Sequence, residues 1–246
     1  MIPKIIHYCW FGRAPLPLSA VKCIASWKKF LPDYEIKEWN ESNFDVNMIP
    51  YTAEAYKARK YAFVSDYARF WIIYHYGGVY FDTDVEIIRS MDDILSKGPY
   101  MGFEWNPSKS IYGSVNPGLG FSADKGNKVI KMILDSYAQS NFEINPITLR
   151  PSATVIEFTT DVLVKCGLEK KKGIQNVSGI NVYPAEYFAP IHFITKRLHI
   201  TSNTHTIHQY MASWADKKMP LKKKMKRFIP EWMLLLFSRI KHPEIY

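Results

Sequence analysis

Two aspartates separated by one residue, Asp82 and Asp84, are the side chains in this sequence best suited to chemistry. They follow the apolar run Val79–Phe81, which predicts a strand, and a spacing of two along a strand directs both carboxylates to one face. Carboxylates placed together repel each other and contribute little to stability. They can, however, share a hard divalent cation through their oxygens. The sequence therefore predicts a metal site on this strand.

The segment before these aspartates must position them. Asp66 and Arg69 are three residues apart on a predicted helix from Ala53 to Tyr76, so they share one helix face. Thr52 is a candidate N-cap, and Gly77–Gly78 supplies the freedom to end the helix and turn. The Asp–Arg pair is either an ordinary intrahelical ion pair or part of a site that includes the two aspartates.

The rest of the chain alternates strand and helix patterns, which predicts an α/β fold with a mostly parallel sheet. Apolar or alternating runs predict strands or extended segments over 2–10, 34–39, 79–88, 100–105, 182–188 and 198–208, with a short strand beginning at Phe121. Helical spacing predicts further helices over 18–30, 125–139 and 152–166.

Composition bounds the class of protein. The chain has 246 residues, of which 47% are apolar, so one folded domain is expected. Three scattered cysteines argue against a disulfide framework and fit a reducing compartment. We expect no signal peptide, since a strand pattern starts almost at once, and no apolar run approaches the ~20 residues that span a bilayer. No nucleic-acid-binding module is recognisable.

The net charge of +9 is concentrated at the C-terminus, because residues 217–246 carry nine Lys/Arg and only two Glu. Apolar residues recur at helical spacing between these cations, although Pro230 interrupts the pattern. We therefore divide the chain into a domain, 1–216, and a basic amphipathic tail, 217–246. Such a tail fits a helix lying on an anionic membrane surface, and the alternative is that it packs back on the domain.

Four segments give the chain a resemblance to the DXD-motif glycosyltransferases, a group of sugar transferases that includes bacterial polysaccharide enzymes, yeast initiating mannosyltransferases and clostridial glucosylating toxins. These segments are IPKIIHYCWFG, SDYARFWIIYHYGGVYFDTDVEI, NPGLGFS and HTIHQYMASW. The resemblance implies a single-domain GT-A fold with a mixed, mostly parallel sheet. It also implies a retaining transferase that uses Mn²⁺ or Mg²⁺ and a nucleotide-sugar donor.

The same resemblance implies roles for individual residues. Asp84 would bind the metal directly, and Asp82 would hold the ribose and support the metal. Asp66 and Arg69 would grip the donor sugar and the diphosphate, and Asn116 would meet the donor sugar or the acceptor.

Further residues are implied around the nucleotide. Trp10 would stack on the base, while His7 and Tyr80 are either nucleotide-site residues or parts of the core. His208, Ser213 and Trp214 match a C-terminal motif that more often reads IHHWxxSW. Here Gln209 and Tyr210 replace the second His and the first Trp, which leaves His208 as the candidate to close over the metal.

These expectations combine into one functional hypothesis. The chain would be a cytoplasmic, membrane-peripheral transferase that moves a hexose, with UDP-sugars favoured, to a glycan or glycolipid acceptor in surface polysaccharide or lipid-linked oligosaccharide assembly. The alternatives are a non-catalytic nucleotide-sugar-binding protein and an aspartyl phosphohydrolase, which FDTDV faintly resembles. A zinc site at His205 and His208 is disfavoured, because no third ligand is near in sequence.

Overall fold

A computed structural model describes residues 2–105, 113–143, 153–192 and 195–211, together with Met233. Its helices are α1 (Leu18–Phe30), α2 (Pro50–Lys57), α3 (Tyr61–Tyr76), α4 (Asp92–Leu95), α5 (Lys128–Ala138) and α6 (Val155–Lys165). Its strands are β1 (Ile5–Cys9), β2 (Glu35–Trp39), β3 (Gly78–Tyr80), β4 (Val85–Ile87), β5 (Tyr100–Glu104), β6 (Ser114–Val115), β7 (Phe121–Ala123), β8 (Gln175–Val177), β9 (Ile180–Tyr183) and β10 (Thr206–His208). Two single 3₁₀ turns lie at Pro117–Leu119 and Ala185–Tyr187.

The central sheet has the order β2-β1-β3-β7-β5-β9-β8, with β6 paired to β5. Strand β1 runs parallel to β2 and β3, and β5 runs parallel to β9. The antiparallel strand β7 joins these two groups, because it pairs with both β3 and β5. Most of the strands therefore point one way, and the prediction of an α/β fold with a mixed, mostly parallel sheet is confirmed.

Apolar side chains cover both faces of this sheet. Along β1, Ile6 and Tyr8 belong to one buried cluster and Cys9 to the other, as the alternation of a strand requires. Trp27 of α1 packs in the first cluster, and Phe70 of α3 packs in the second together with α5 and α6. The ends of the strands between these two layers are left to carry polar groups.

The predicted helix 53–76 is in fact two helices, α2 and α3. Pro50 begins α2, and Thr52 is buried inside it with its hydroxyl donating to the carbonyl of Ile49, so Thr52 is not an N-cap. The break comes at Arg59, whose φ lies in the left-handed region that a continuing helix cannot contain.

 The left-handed φ of +56° at Arg59 therefore ends α2, and α3 starts afresh at Tyr61.

The predicted strand 79–88 is likewise two strands, β3 and β4, joined by a turn in which the amide of Val85 donates to the carbonyl of Asp82 at 3.0 Å. Strand β3 stays in the central sheet, whereas β4 leaves it to pair antiparallel with β10. Asp82 and Asp84 thus lie in the turn and not on one strand face. The sequence-based reason for grouping them was wrong, although the turn still brings them together.

Most other boundaries differ from prediction by up to three residues, a usual uncertainty at the ends of elements. The predicted segments 182–188 and 198–208 are strands only in part, because β9 ends at Tyr183 and β10 begins at Thr206. The sequence patterns did not indicate the short elements α4, β6 and β8. Among the described residues, no helix is both long and apolar enough to cross a membrane. The predicted tail 217–246 lies outside the described residues apart from Met233, so its division from the domain stays a prediction.

Candidate functional site

The turn between β3 and β4 forms the floor of the site. The register of β4 with β10 places His208 opposite Val85, so the imidazole lies beside the preceding Asp84. His208 Nε2 is 3.2 Å from Asp84 Oδ1, and the amide of Met211 donates to Asp84 Oδ2 at 3.0 Å. Residues that are far apart in sequence are therefore fixed together by one antiparallel strand pair.

Arg69 connects helix α3 to this turn. Its Nη2 lies 2.7 Å from Asp66 Oδ1 and 3.2 Å from Asp82 Oδ1, and its Nε donates to the carbonyl of Ser65. The Arg69 residue is only 3% exposed, so these bonds are shielded from solvent. Asp66 and Arg69 are thus not an isolated helix-surface pair, since the guanidinium fork also holds the first aspartate of the DXD triplet.

Two further contacts fix Asp82. The hydroxyl of Tyr80 donates to Asp82 Oδ1 at 2.9 Å, and the guanidinium of Arg69 lies 5.0 Å from the centre of the Tyr80 ring. On the other side, a Cβ added to Gly118 would stand 2.5 Å from Asp82 Oδ2. Glycine is therefore required at 118 for this close approach, and Asp82 is held from three directions.

Burial dominates the electrostatics of the helix side of the site. It raises the pKa of Asp66 to about 7 even though Arg69 opposes the shift, and it raises the pKa of Asp82 against the same opposing charge. Burial also disfavours the charged form of Arg69, but the charges of Asp82, Tyr80 and Asp66 together outweigh it, so the pKa of Arg69 is raised. One guanidinium thus serves two buried carboxylates, which leaves negative charge that a cation would stabilise.

The Asp84 side of the site behaves in the opposite way. Burial would raise the pKa of Asp84, but hydrogen bonds from His208 and from the amide of Met211 lower it overall. Burial would lower the pKa of His208, but the hydrogen bond and charge of Asp84 raise it. Asp84 is therefore held as a carboxylate.

These groups fit a divalent metal ion. One ligand atom each from Asp82, Asp84 and His208 lie within 4.8 Å of one another, and His208 Nδ1 is buried with no hydrogen-bond partner among the described residues. Two carboxylate oxygens and an imidazole nitrogen are ligands that Mn²⁺ accepts, and carboxylates alone suit Mg²⁺. This part of the site is therefore where a metal would be held.

A cavity of about 570 Å³, here called the first cavity, opens above the turn. Trp10 stands on its wall, and the Trp10 indole N–H donates to the carbonyl of Ala14 at 2.6 Å. Arg69, Asp82, Asp84 and His208 also line it. The structure thus brings Trp10 and the charged cluster to one space, and their roles there stay predictions.

The sequence patterns did not indicate the cationic part of this wall. Arg59 and Lys60, in the break between α2 and α3, line the first cavity together with Tyr61 and Ala62 at the start of α3. Helix α3 begins without a side-chain N-cap bond, so its first amide groups also contribute positive potential. The only sequence signal was the pair of basic residues immediately before a helical pattern, which is common on surfaces.

Two other predicted residues, His7 and Tyr80, do not line the first cavity. His7 is fully buried and does not line the first cavity, because its Nε2 bonds the carbonyl of Gly77 and its Nδ1 accepts from Trp39. Tyr80 is also buried and acts on the site only through Asp82. Ser213 and Trp214 lie outside the described residues, so their roles stay predictions.

Asn116 is buried behind the site rather than exposed in it, with 7% of its surface accessible. Its Oδ1 accepts from the amide of Gly118 at 2.8 Å, and its Nδ2 donates to Glu104 Oε2 at 2.5 Å. Asn116 therefore connects the glycine that packs on Asp82 to a carboxylate that the sequence analysis did not single out.

That carboxylate, Glu104, lies at a second cavity of about 350 Å³. Tyr210 lines both cavities, and its hydroxyl donates to Glu104 Oε2 at 3.2 Å. Both the bond from Asn116 and the bond from Tyr210 use Oε2 of Glu104, and neither uses Oε1. Trp105 and His192 add aromatic surface to the second cavity, with ring centres 4.9 Å apart.

Tyr210 forms the partition between the two cavities with an unusual backbone. Its φ of +49° is in the left-handed region, which a bulky side chain rarely adopts. Hydrogen bonds on both sides hold it there, from the amide of Gln209 to the carbonyl of Asp84 and from the amide of Met211 to the Asp84 carboxylate. Backbone strain of this kind often accompanies a functional site.

Parts of the chain are similar to known proteins. Residues 17–100 match the family described as glycosyltransferase sugar-binding region containing DXD motif. Inositol phosphoceramide mannosyltransferase 3 of Schizosaccharomyces pombe is 34% identical over 98 residues, which cover 38% of this chain and 27% of that protein. Inositol phosphoceramide mannosyltransferase 1 of the same organism is 29% identical over 111 residues, covering 41% and 33% respectively. The match thus spans about a third or less of these relatives.

Two solved structures share the fold. PaToxG glycosyltransferase superposes with a TM-score of 0.51 at 20% identity, covering 67% of this chain and 69% of that one. A glycosyltransferase involved in the glycosylation of the major capsid of PBCV-1 gives 0.50 at 12% identity, covering 92% and 100%. The chain therefore shares the GT-A fold of these structures, and its residues 17–100 are similar to the DXD-containing sugar-binding region of glycosyltransferases.

Proposed function

We propose that this protein is a metal-dependent glycosyltransferase that moves a hexose from a nucleotide-sugar to a glycan or lipid-linked acceptor. The observation that carries the proposal is the cluster of Asp82, Asp84 and His208 on the floor of the first cavity, with the Arg69 fork beside it. Such a cluster suits a substrate that becomes negatively charged as it reacts. The mannosyltransferase relatives support a hexose donor.

The first cavity suits a nucleoside diphosphate. A divalent ion at the cluster would neutralise the charge that develops on the diphosphate as the glycosidic bond breaks. Arg59, Lys60 and the start of α3 line the same wall and add positive potential. Trp10 offers an aromatic face for the base. UDP remains our favoured nucleotide, on the family resemblance alone.

The second cavity suits the acceptor. It adjoins the first cavity at Tyr210, so a hydroxyl bound there would lie next to the donor. Glu104 Oε1 can accept the hydrogen bond of that hydroxyl and hold its oxygen towards the sugar carbon. The proposed transfer retains the configuration at that carbon, and the protein contributes mainly orientation and charge stabilisation.

A thermal-shift panel tests the proposal. Ligands that bind only the folded state raise its stability, so UDP-, GDP- and dTDP-sugars are compared with and without Mn²⁺. We expect one nucleotide class to raise Tm, and the increase to require the metal. Release of the free sugar from that donor would then separate an enzyme from a binding protein, and release of inorganic phosphate would instead indicate a phosphohydrolase. No shift with any donor would contradict the proposal.

The localisation is a separate proposal, supported by the charge of the tail. We propose a cytoplasmic protein that docks peripherally on the inner face of the cell membrane, with residues 217–246 on anionic lipid. The full chain should sediment with anionic vesicles at low salt and less so at high salt. Equal sedimentation of a chain shortened to residues 1–216 would contradict this role for the tail.

A further inference from the structure

We infer that Glu38 selects the base of the donor nucleotide, and that this base is guanine. The inference deepens the proposed function and rests on it in one respect, namely that a nucleoside diphosphate occupies the first cavity. It assigns a base-selecting role to a separate cavity that also borders Trp10. It replaces uracil, which the family resemblance alone favours, with guanine.

A third cavity, of about 370 Å³, adjoins the first. Trp10 and Ala14 line both of them. The other residues that line the third cavity are all polar or charged, namely Arg13, Glu38, Asn40, Glu41 and Ser42. A base that stacks on Trp10 can therefore present its polar edge to these groups while the diphosphate stays in the first cavity.

The sheet fixes Glu38 near Trp10. Strands β1 and β2 pair in parallel, in a register that places Tyr8 beside Glu38. Just beyond this pair, the amide of Trp10 donates to the carbonyl of Trp39 at 2.8 Å. The hydroxyl of Tyr8 donates to Glu38 Oε2 at 2.6 Å, and Nδ2 of Asn40 donates to Glu38 Oε1 at 2.8 Å. Glu38 is therefore a positioned carboxylate near the end of β2.

Glu38 can accept further hydrogen bonds. A carboxylate has about four lone-pair sites, two on each oxygen. The bonds from Tyr8 and Asn40 use one site on each oxygen. The two oxygens together can therefore bind a ligand that carries two adjacent N–H groups, in a bidentate arrangement of charge-assisted hydrogen bonds.

Glu41, the other carboxylate of the third cavity, mainly holds the loop. Its Oε1 accepts from the amide of Gly12 at 2.6 Å and from the hydroxyl of Tyr56 at 2.9 Å. Burial would raise the pKa of Glu41, but these hydrogen bonds and the charge of Arg13 help to lower it overall. Glu41 thus stays ionised and adds negative charge beside Glu38, which favours a base that donates hydrogen bonds.

The edges of the bases differ in what they offer to a carboxylate. Guanine carries N1–H and the N2 amino group side by side, which is the pair of donors that Glu38 can bind. Uracil and thymine carry one N–H between two carbonyl oxygens, which would face carboxylate oxygens of like charge. Adenine and cytosine carry an amino group beside a ring nitrogen that only accepts. Guanine is therefore the base that fits, and Arg13 at the same cavity can donate to its O6 or N7.

Isothermal titration of the full chain with nucleoside diphosphates in the presence of Mn²⁺ tests the inference. The probes are GDP, inosine diphosphate (IDP) and UDP, which share the diphosphate. IDP is GDP without the N2 amino group, so this pair isolates one hydrogen bond and leaves the purine ring unchanged. The test variant is Glu38→Gln, which keeps the shape of the side chain. The matched control is Glu35→Gln, at an exposed position of β2 that lines none of the three cavities.

We expect the unmodified chain and Glu35→Gln to bind GDP about tenfold more tightly than IDP or UDP, the scale of a charge-assisted hydrogen bond. In Glu38→Gln, GDP should bind about as weakly as IDP, and the affinity for UDP should not fall. A folded Glu38→Gln variant that keeps the tenfold ratio would overturn the inference.

The unmodified chain alone also decides the question, so the test does not depend on the folding of a variant. Equal affinities for GDP and IDP, or tighter binding of UDP than of GDP, would overturn the inference. Either result would leave the proposed function standing, because a nucleoside diphosphate still binds with the metal. Failure of all three diphosphates to bind would instead contradict the proposed function, and the inference with it.

Discussion

The first and second cavities differ in the kinds of residue that line them. The first is lined by the ends of β1 and α3 and by a turn whose carboxylates are buried and bonded on several sides. The second is lined largely by loop residues, in which small apolar side chains such as Ala185 and Ala189 stand beside Glu104, Glu186 and Lys196. The first is thus an arrangement of charge that is buried and fixed by hydrogen bonds, whereas the polar groups of the second lie mainly on loops.

This difference follows from what each cavity would bind. A diphosphate is highly charged, and charges fixed in advance stabilise it at no cost of reorganisation during the reaction. An acceptor hydroxyl is neutral and needs only orientation. Substitutions in the first cavity should therefore have larger effects on activity than those in the second. The reverse order of effects would contradict this interpretation.

The largest effect is expected from Asp84→Asn. It removes the carboxylate that His208 and the amide of Met211 hold in place. We expect the rate of metal-dependent sugar transfer to fall by about 10³-fold, the scale of losing a main electrostatic contact. Steady-state donor turnover measures the loss. Asp135→Asn on α5, where the carboxylate is half-exposed and pairs with Lys131, is the control. If turnover by Asp84→Asn is within a few-fold of that of the unmodified protein, Asp84 does not act in the site.

His7 should make the fold around the first cavity sensitive to acid. Burial, with a smaller contribution from Lys37, lowers its pKa from 6.5 to about 4. Between these values the unfolded chain binds the proton and the folded chain does not, so the free energy of unfolding falls as the pH falls. The loss is about 3 kcal/mol at pH 4 relative to pH 7.

Urea unfolding from pH 7 to pH 4 measures this slope. His7→Gln should remove most of it, and His75→Gln, at a half-buried position of α3, controls for the loss of an imidazole. An unchanged slope in His7→Gln would assign the acid sensitivity to other groups.

Arg69→Lys tests whether the first cavity needs geometry as well as charge. A lysine keeps the positive charge but cannot bond Asp66 and Asp82 as a planar fork does. We expect kcat/KM for the donor to fall by about 100-fold, because a small misplacement of reacting groups is costly. If most of the activity survives, the site requires only a point charge.

Trp10→Ala tests the base end of the first cavity. Loss of one base–aromatic stack should weaken nucleotide binding by about 1–3 kcal/mol. Isothermal titration with the nucleotide selected by the thermal-shift panel measures the change. Trp71, packed on α3 against Trp39 and Phe44, offers a structural control through Trp71→Phe. Equal affinity in folded Trp10→Ala would show that the base binds elsewhere.

Glu104→Gln should have the smallest effect and should act on the acceptor alone. The replacement keeps the shape of the side chain but weakens the bond to an acceptor hydroxyl, which we expect to raise the acceptor KM by roughly tenfold. Donor binding should stay unchanged, as measured by titration of the same variant. If Glu104→Gln loses as much donor affinity as acceptor affinity, the two cavities act as one binding site.

The same contrast decides what could be predicted from the sequence. Asp66, Arg69, Asp82 and Asp84 lie close together along the chain, so local spacing indicated them. The reason given for the two DXD aspartates was nevertheless wrong, because nothing between Val79 and Ile88 marks the end of one strand and the start of another.

Residues of the second cavity could not be found in this way. Glu104 and Tyr210 meet only because β4 pairs with β10 and β5 lies between β7 and β9 in the sheet, and such long-range pairings leave no local pattern. The helix break at Arg59 was missed for a similar reason, since a non-glycine residue with positive φ carries no sequence signal. His208 was found through the family motif and not through its spacing from Asp84.

The central claim is that Asp82, Asp84 and His208 hold a divalent ion that binds the donor diphosphate. Electron paramagnetic resonance of Mn²⁺ tests it directly, with UDP or GDP titrated in the presence of the protein. The account predicts that the protein binds additional Mn²⁺ once one of these nucleotides is present, beyond what the nucleotide binds alone, and that Asp84→Asn does not. A concentration of free Mn²⁺ that is the same in the presence of the unmodified protein and of the Asp84→Asn variant, for both nucleotides, would contradict the account.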